Sequence, residues 1–247
     1  RRAGQPMRVI GTVGLAGSGK GEFAAVAREV GVPVVTMGDV IRAECRDRGL
    51  DPADHHGAVA RALRSRGVPV PDDWAAAFRE AHIDAPAGAE VPLPAHVAAA
   101  LRSRGVDTPG NAARRAVVAA FDPDVRTRAG AVDAVAAAAG RGPVGLLSNC
   151  SVPELVARTL IRSDLDREAF DATVTSVGCG WRKPHPNAFE SIAEGLGVDA
   201  DAITHVGDDP TADGGIADLG GTFVDVDDPG LETVAERLRA GAPPGGE

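Results

Sequence analysis

Apolar and polar positions follow two rhythms along the 247 residues. Arg8 to Val13 is a short β-rich apolar run, followed by a glycine-rich loop, then Phe23 to Val30 with apolar residues at helical spacing, then Pro33-Val34-Val35-Thr36. This predicts strand, loop, helix, strand. Gly38-Asp39 offers a cap to a helix over Val40 to Arg48, which Gly49 ends. From Pro52 to Ala139 the spacing is helical with no strand pattern, interrupted at 67–71, 86–94, 105–110 and Asp122-Pro123. Beyond Gly142 strand and helix alternate. Strands are expected at Val144–Leu147, Ala172–Ser176, Ile203–Val206 and Thr222–Val226, with helices from Val152, from Asn187 and near Ile216. Such alternation predicts a parallel sheet with crossover helices. The last residues, 239–247, are rich in Gly and Pro and read as a disordered tail.

One short sequence recurs. Ala62-Leu-Arg-Ser-Arg-Gly-Val68 returns as Ala100-Leu-Arg-Ser-Arg-Gly-Val106, each an amphipathic helix end closed by glycine. Two copies make no solenoid, and a shared helix-stop composition accounts for them.

Composition narrows the class. A hydrophobic content of 44% suffices for a core, and 35 acidic against 26 basic residues leave a formal charge of −9. That balance argues against non-specific binding to nucleic acid or to an anionic membrane. Only Lys20 and Lys183 of the basic residues are lysines, and Tyr is absent, a bias that fits a GC-rich, salt-adapted source. Cys45, Cys150 and Cys179 make no CxxC, so neither a disulfide framework nor a zinc knot is indicated and a reducing cytoplasm is expected. No apolar run approaches the roughly 18 residues of a membrane span. No signal-peptide pattern precedes the first strand, and Arg1–Pro6 reads as sequence upstream of Met7.

Both lysines lie in motifs. Gly14-Leu-Ala-Gly17-Ser18-Gly19-Lys20-Gly21 follows a predicted strand and opens a predicted helix, the context of a phosphate-cradling loop. Backbone N–H groups of Gly17 to Gly21 can converge on a phosphate at a helix N-terminus, and Lys20 adds a point charge. The Ser or Thr that usually follows this lysine as a magnesium ligand is Gly21. The segment resembles adenylate kinases and, more closely, small archaeal adenylate-kinase-like or dephospho-CoA-kinase-like proteins. The resemblance continues through Met37-Gly-Asp39-Val-Ile-Arg42, where it implies that Arg42 contacts a monophosphate acceptor, and fades after about Gly67. Lid arginines, a base-binding strand and a Walker-B carboxylate have no evident counterpart.

The second motif set is Leu146-Leu-Ser148-Asn149, Arg182-Lys183-Pro-His-Pro-Asn-Ala-Phe189, and His205-Val-Gly-Asp208-Asp209 with Asp213 four residues on. From about 69 to 238 the chain resembles the haloacid dehalogenase (HAD) superfamily of phosphohydrolases. The fold this implies is α/β: a Rossmann-like parallel sheet with a helical cap, here preceded by a P-loop β-α-β segment. The expected divisions are 7–51 kinase-like, 52–140 cap-like, 141–238 HAD-like core and 239–247 tail. Ser148, Lys183 and Asp208 take the catalytic roles, Asn149 joins the phosphate-binding set, and Asp208 with Asp209 or Asp213 supplies hard oxygens suited to Mg²⁺. ATP or another nucleotide is the second expected ligand.

The superfamily's Asp-x-Asp nucleophile, which should end the first strand, is missing. Asp122-Pro-Asp124, Asp164-Leu-Asp166 and Asp199-Ala-Asp201 lie in loop or helix-start contexts, and Asp225-Val-Asp227 follows the last strand. A kinase-like start joined near residues 52–68 to a HAD protein explains both motif sets. The Val9–Val13 strand then either fills the vacant central slot or packs in a separate unit. Three functions stay open: a HAD-type phosphohydrolase, a nucleotide kinase or NTPase, and a non-catalytic binder of a nucleotide or phosphometabolite.

Overall fold

The computed structural model describes residues 8–11, 55–122 and 125–244. The glycine-rich loop, Arg42 and the elements expected between residues 12 and 54 lie outside the described residues. Strand β1 (Arg8–Gly11) comes first, followed by helices α1 (His55–Arg64), α2 (Trp74–Arg79), α3 (Leu93–Arg102), α4 (Ala112–Ala120) and α5 (Ala131–Ala139). Next come β2 (Val144–Ser148), α6 (Leu155–Arg162), β3 (Ala172–Thr175), the single turn α7 (Ser176–Cys179) and α8 (Pro186–Leu196). The chain ends with β4 (Ile203–Gly207), α9 (Pro210–Asp213), β5 (Thr222–Asp225) and α10 (Leu231–Arg239).

Among the described residues five strands form one sheet in the order β3-β2-β1-β4-β5, every pair parallel. Strand β1 is central: Gly11 is in register with Leu146 on one side and Val206 on the other. The N-terminal strand therefore occupies the middle slot of the sheet instead of packing apart. β2 and β4 are buried along their whole length, as strands covered on both faces must be. Val144, Val206 and Val224 pack with α5 and α10 on one face, whereas Leu147 and Ile203 pack with Phe189, Ile192 and Ile216 on the other. Alternation along each strand thus feeds two apolar layers.

Helices α1 to α4 make a separate apolar cluster that includes Val59, Leu63, Val97, Leu101, Ala116 and Val117 and runs on into Leu146, Cys150, Leu155 and Leu160. The helical unit is therefore fused to α6 and the end of β2. The stretch expected to be cap-like, 52–140, divides here, because α5 joins the sheet layer while α1 to α4 build the helical unit.

The recurring sequence forms the same stop twice. Gly67 and Gly105 adopt φ of 72° and 73°, and Val68 N–H donates to Leu63 O at 3.1 Å as Val106 N–H donates to Leu101 O at 3.0 Å. The inner bonds, Gly67 N–H to Arg64 O and Gly105 N–H to Arg102 O, are both 3.0 Å. This is the Schellman pattern, which needs a residue tolerant of positive φ after the last turn. Residues 240–244, expected to belong to a disordered tail, turn back on α10, where Arg237 Nη1 donates to Pro244 O at 3.0 Å.

Candidate active site

The carboxyl ends of parallel strands gather the polar groups. Ser148 closes β2 and is buried, and a hydrogen-bonded loop follows it. Asn149 Nδ2 donates to Lys183 O at 2.9 Å, and Lys183 N–H donates to Asn149 Oδ1 at 2.7 Å. Both amide atoms of Asn149, expected as a phosphate ligand, thus clamp the main chain of the lysine loop. The Lys183 side chain is 4% exposed; its Nζ donates to Leu147 O at 3.3 Å and meets Asp213 Oδ1 at 2.5 Å. The second lysine motif therefore delivers its ammonium to the end of β2.

Asp213, at the end of α9, is the hub. Its Oδ1 also lies 3.1 Å from His205 Nε2, and its Oδ2 accepts from Asp209 N–H at 3.0 Å. Gly207 makes room for this carboxylate, since a Cβ there would fall 2.1 Å from Asp213 Oδ2. Burial alone would push the Asp213 carboxyl upward, but the His205 hydrogen bond and the Lys183 charge outweigh it and hold the group well below the ordinary carboxylate range. His205, on β4 with its ring edge-on to Phe189, is pushed down to about 4 by burial and by the Lys183 charge, so it is neutral at pH 7. Its Nε2 then carries the proton given to Asp213, and Nδ1 is left buried without a partner.

Asp208 directly follows β4, and its charge helps raise the carboxyl of Asp225 at the end of β5, where burial is the larger cause. Asp209 caps α9: its Oδ1 accepts from Thr211 N–H at 3.0 Å and Ala212 N–H at 3.2 Å. Asp213 meets Lys183, His205 and a backbone amide, while the cap bonds of Asp209 use its Oδ1, so Asp208 with Asp209 or Asp213 is still the pair expected to offer oxygens to Mg²⁺. Among the described residues no three His, Cys, Asp or Glu side chains gather as a metal site. Asp225 ends the edge strand, two strands from β1, and Asp227 lies in the turn that follows, as the chain order implies.

Two groups at this edge carried no signal in the sequence, and a third, His205, opened the motif His205-Val-Gly-Asp208-Asp209 with no role assigned to its ring. Ser176 and Glu90 belonged to no motif, yet Ser176 Oγ takes Cys150 N–H at 2.8 Å and donates to Glu90 Oε2.

Comparisons with known proteins bear on both halves. Residues 13–73 match the family model of an AAA domain. The N-terminal region is P-loop kinase-like. The match runs on through α1, close to Gly67, where the kinase-like resemblance was expected to fade. UPF0200 proteins of Halobacterium salinarum and Methanothrix thermoacetophila are 68% identical over 63 residues and 59% identical over 59 residues, covering 26% and 24% of this chain. The aligned parts are 33% and 32% of those proteins, so the chain spans about a third of the length of the curated relatives it matches. Over most of the chain the fold is HAD-like. A 2-haloacid dehalogenase from Pseudomonas syringae aligns over 96% of this chain and 100% of its own with a TM-score of 0.51 at 16% identity. A point mutant of CbbY from Rhodobacter sphaeroides, solved in complex with xylulose-(1,5)bisphosphate, aligns over 90% of this chain and 86% of its own with a TM-score of 0.50 at 15% identity. Among the described residues no helix is long and apolar enough to cross a membrane.

Proposed function

We propose that the chain is a HAD-like protein that binds a phosphorylated small molecule at the carboxyl edge of its sheet and hydrolyses it poorly. The observation that carries this reading is the buried Lys183, whose ammonium is fixed between Asp213 and the end of β2, one residue from Ser148. A fixed ammonium and a hydroxyl at a strand end are the means to stabilise a phosphoryl group without reorganisation. The central strand, Arg8–Gly11, carries no aspartate, and the sequence contains none before Asp39. Loss of a covalent nucleophile removes the two-step route and typically several orders of magnitude in rate. Magnesium enters this reading as a weakly held ion at the carboxylates of Asp208 with Asp209 or Asp213, which cluster after β4.

Titration with inorganic phosphate is expected to show binding by the wild type that weakens about tenfold or more in Lys183→Ala and Ser148→Ala, as for loss of a charge-assisted hydrogen bond. Hydrolysis of p-nitrophenyl phosphate, with and without Mg²⁺, should be slow. Rapid turnover abolished in Asp208→Asn would mean that another residue supplies the nucleophile, and the reading of a poor catalyst would be wrong.

A second reading has its own support. The AAA-domain match covers the glycine-rich loop Gly14 to Gly21, so a nucleotide phosphate held by Gly14, Gly17, Ser18, Gly19, Lys20 and Gly21, with Arg42 towards an acceptor, is the ligand proposed for the N-terminal region. ATP or ADP calorimetry on the wild type and Lys20→Ala tests it: the expected result is micromolar to millimolar binding, lowered about tenfold or more by the substitution. Equal affinities, or no binding by either protein, would remove this reading.

A further inference from the structure

We infer that Glu90 is a positioning residue that fixes, from the helical unit, both loops of the phosphate edge; the inference rests on the phosphate reading of Ser148 and Lys183. Glu90 lies in the strap between α2 and α3. The strap runs antiparallel to the loop before Lys183: Glu90 N–H donates to Gly180 O at 2.8 Å, Arg182 N–H donates to Gly88 O at 2.8 Å, and Ala89 bridges Trp181. Gly88 makes the approach possible, since a Cβ there would meet His185 Cδ2 at 2.7 Å, in a ring already stacked on Trp181.

The Glu90 side chain is 2% exposed, and a carboxylate so far from water is stable only with partners. Arg182 Nη1 lies 3.2 Å from Oε2 and 3.4 Å from Oε1, and the Ser176 hydroxyl donates to Oε2. Each partner leads to one side of the proposed site. Ser176 Oγ receives Cys150 N–H, which pins the loop after Ser148, and Arg182 directly precedes Lys183. The two bonds between Asn149 and the Lys183 main chain join the loops to each other. Glu90, Ser176, Cys150, Asn149, Lys183 and Arg182 therefore close a ring, and Glu90 is its only member from the helical unit. Without this carboxylate the ring opens at Ser176 and at Arg182, and the spacing of Ser148 and Lys183 is left to the Asn149 bonds and the Lys183 bond to Leu147 O alone.

The test uses the full chain with Glu90→Ala and Glu90→Gln. Amide hydrogen exchange at Cys150 and Lys183 is expected to rise about tenfold in Glu90→Ala, with Val224 and Ile192 unchanged, and inorganic phosphate should bind about tenfold more weakly. Glu90→Gln still accepts from Ser176 and should fall between the two. Unchanged exchange at Cys150 and Lys183 would overturn the inference. So would a uniform rise that includes Val224, which marks general destabilisation, or wild-type phosphate affinity in a protein whose loops exchange faster. If the wild type binds no phosphate, the phosphate reading fails while the exchange measurement still decides whether Glu90 holds the loops. If Glu90→Ala does not fold, Glu90→Gln carries both measurements.

Discussion

Asp213→Ala is expected to lose about 3–5 kcal/mol of stability, the usual cost of removing one partner from a buried ion pair. The substitution strips the buried Lys183 ammonium of its carboxylate partner, deprives His205 Nε2 of its acceptor and frees Asp209 N–H. Three donors, two of them on buried side chains, lose one acceptor group, so the effect should exceed that of any exposed charge pair such as Arg239 with Asp133. Urea unfolding followed by circular dichroism measures it. A loss below about 1 kcal/mol would show that the carboxylate is not the structural hub described above.

Acid should unfold the protein in two stages, the first belonging to His205. Its folded pKa is depressed from 6.5 to about 4, so between these values the unfolded chain binds a proton that the folded chain refuses. Stability is full above pH 6.5 and falls as the pH drops towards 4, by roughly 3 kcal/mol, since each tenfold difference in proton affinity between the two states counts for about 1.36 kcal/mol. Asp213 works further down: its folded pKa is also depressed, from 3.8, so its contribution is present above about pH 4 and is lost below it. Urea midpoints at pH 7, 6, 5 and 4.5 for the wild type and for His205→Gln, which keeps a donor without the titration, isolate the first stage. Parallel curves for the two proteins would contradict it.

Element identity was legible in the sequence where local pattern decides it. The apolar runs at Val144 and Ile203 became β2 and β4, because fully buried parallel strands are continuous apolar stretches, and the shorter β-branched runs at Ala172 and Thr222 became the half-buried edge strands β3 and β5. Ala172–Ser176 ends one residue early, as Ser176 opens the turn α7. Pairing was less legible. Val9 and Val144 are neighbours in the sheet across 135 residues, and no local signal carries that distance, so the central place of β1 stayed an alternative. Asp209 shows a different limit. An acid before proline in Gly-Asp-Asp-Pro suits a metal ligand, yet Asp followed by Pro at the first helical position is also a helix-start signature, and in the fold the cap uses the oxygen. Asn149 is similar: its amide faces the Lys183 backbone, a partner 34 residues away. Glu90 was hidden, and so was the role of His205 within its motif, because a buried polar side chain declares itself only through the groups that satisfy it.

Helix α1 belongs to the N-terminal segment by its family match and to the helical unit by its packing, with Val59 and Leu63 wholly buried in the apolar cluster it shares with α2 and α4. β1 is likewise lodged between strands that lie more than a hundred residues downstream. Whatever history brought the two motif sets into one chain, they can no longer drift separately. A change of volume on the buried face of α1 must be answered in the cluster it shares with α4, so the segments are bound to evolve as a pair.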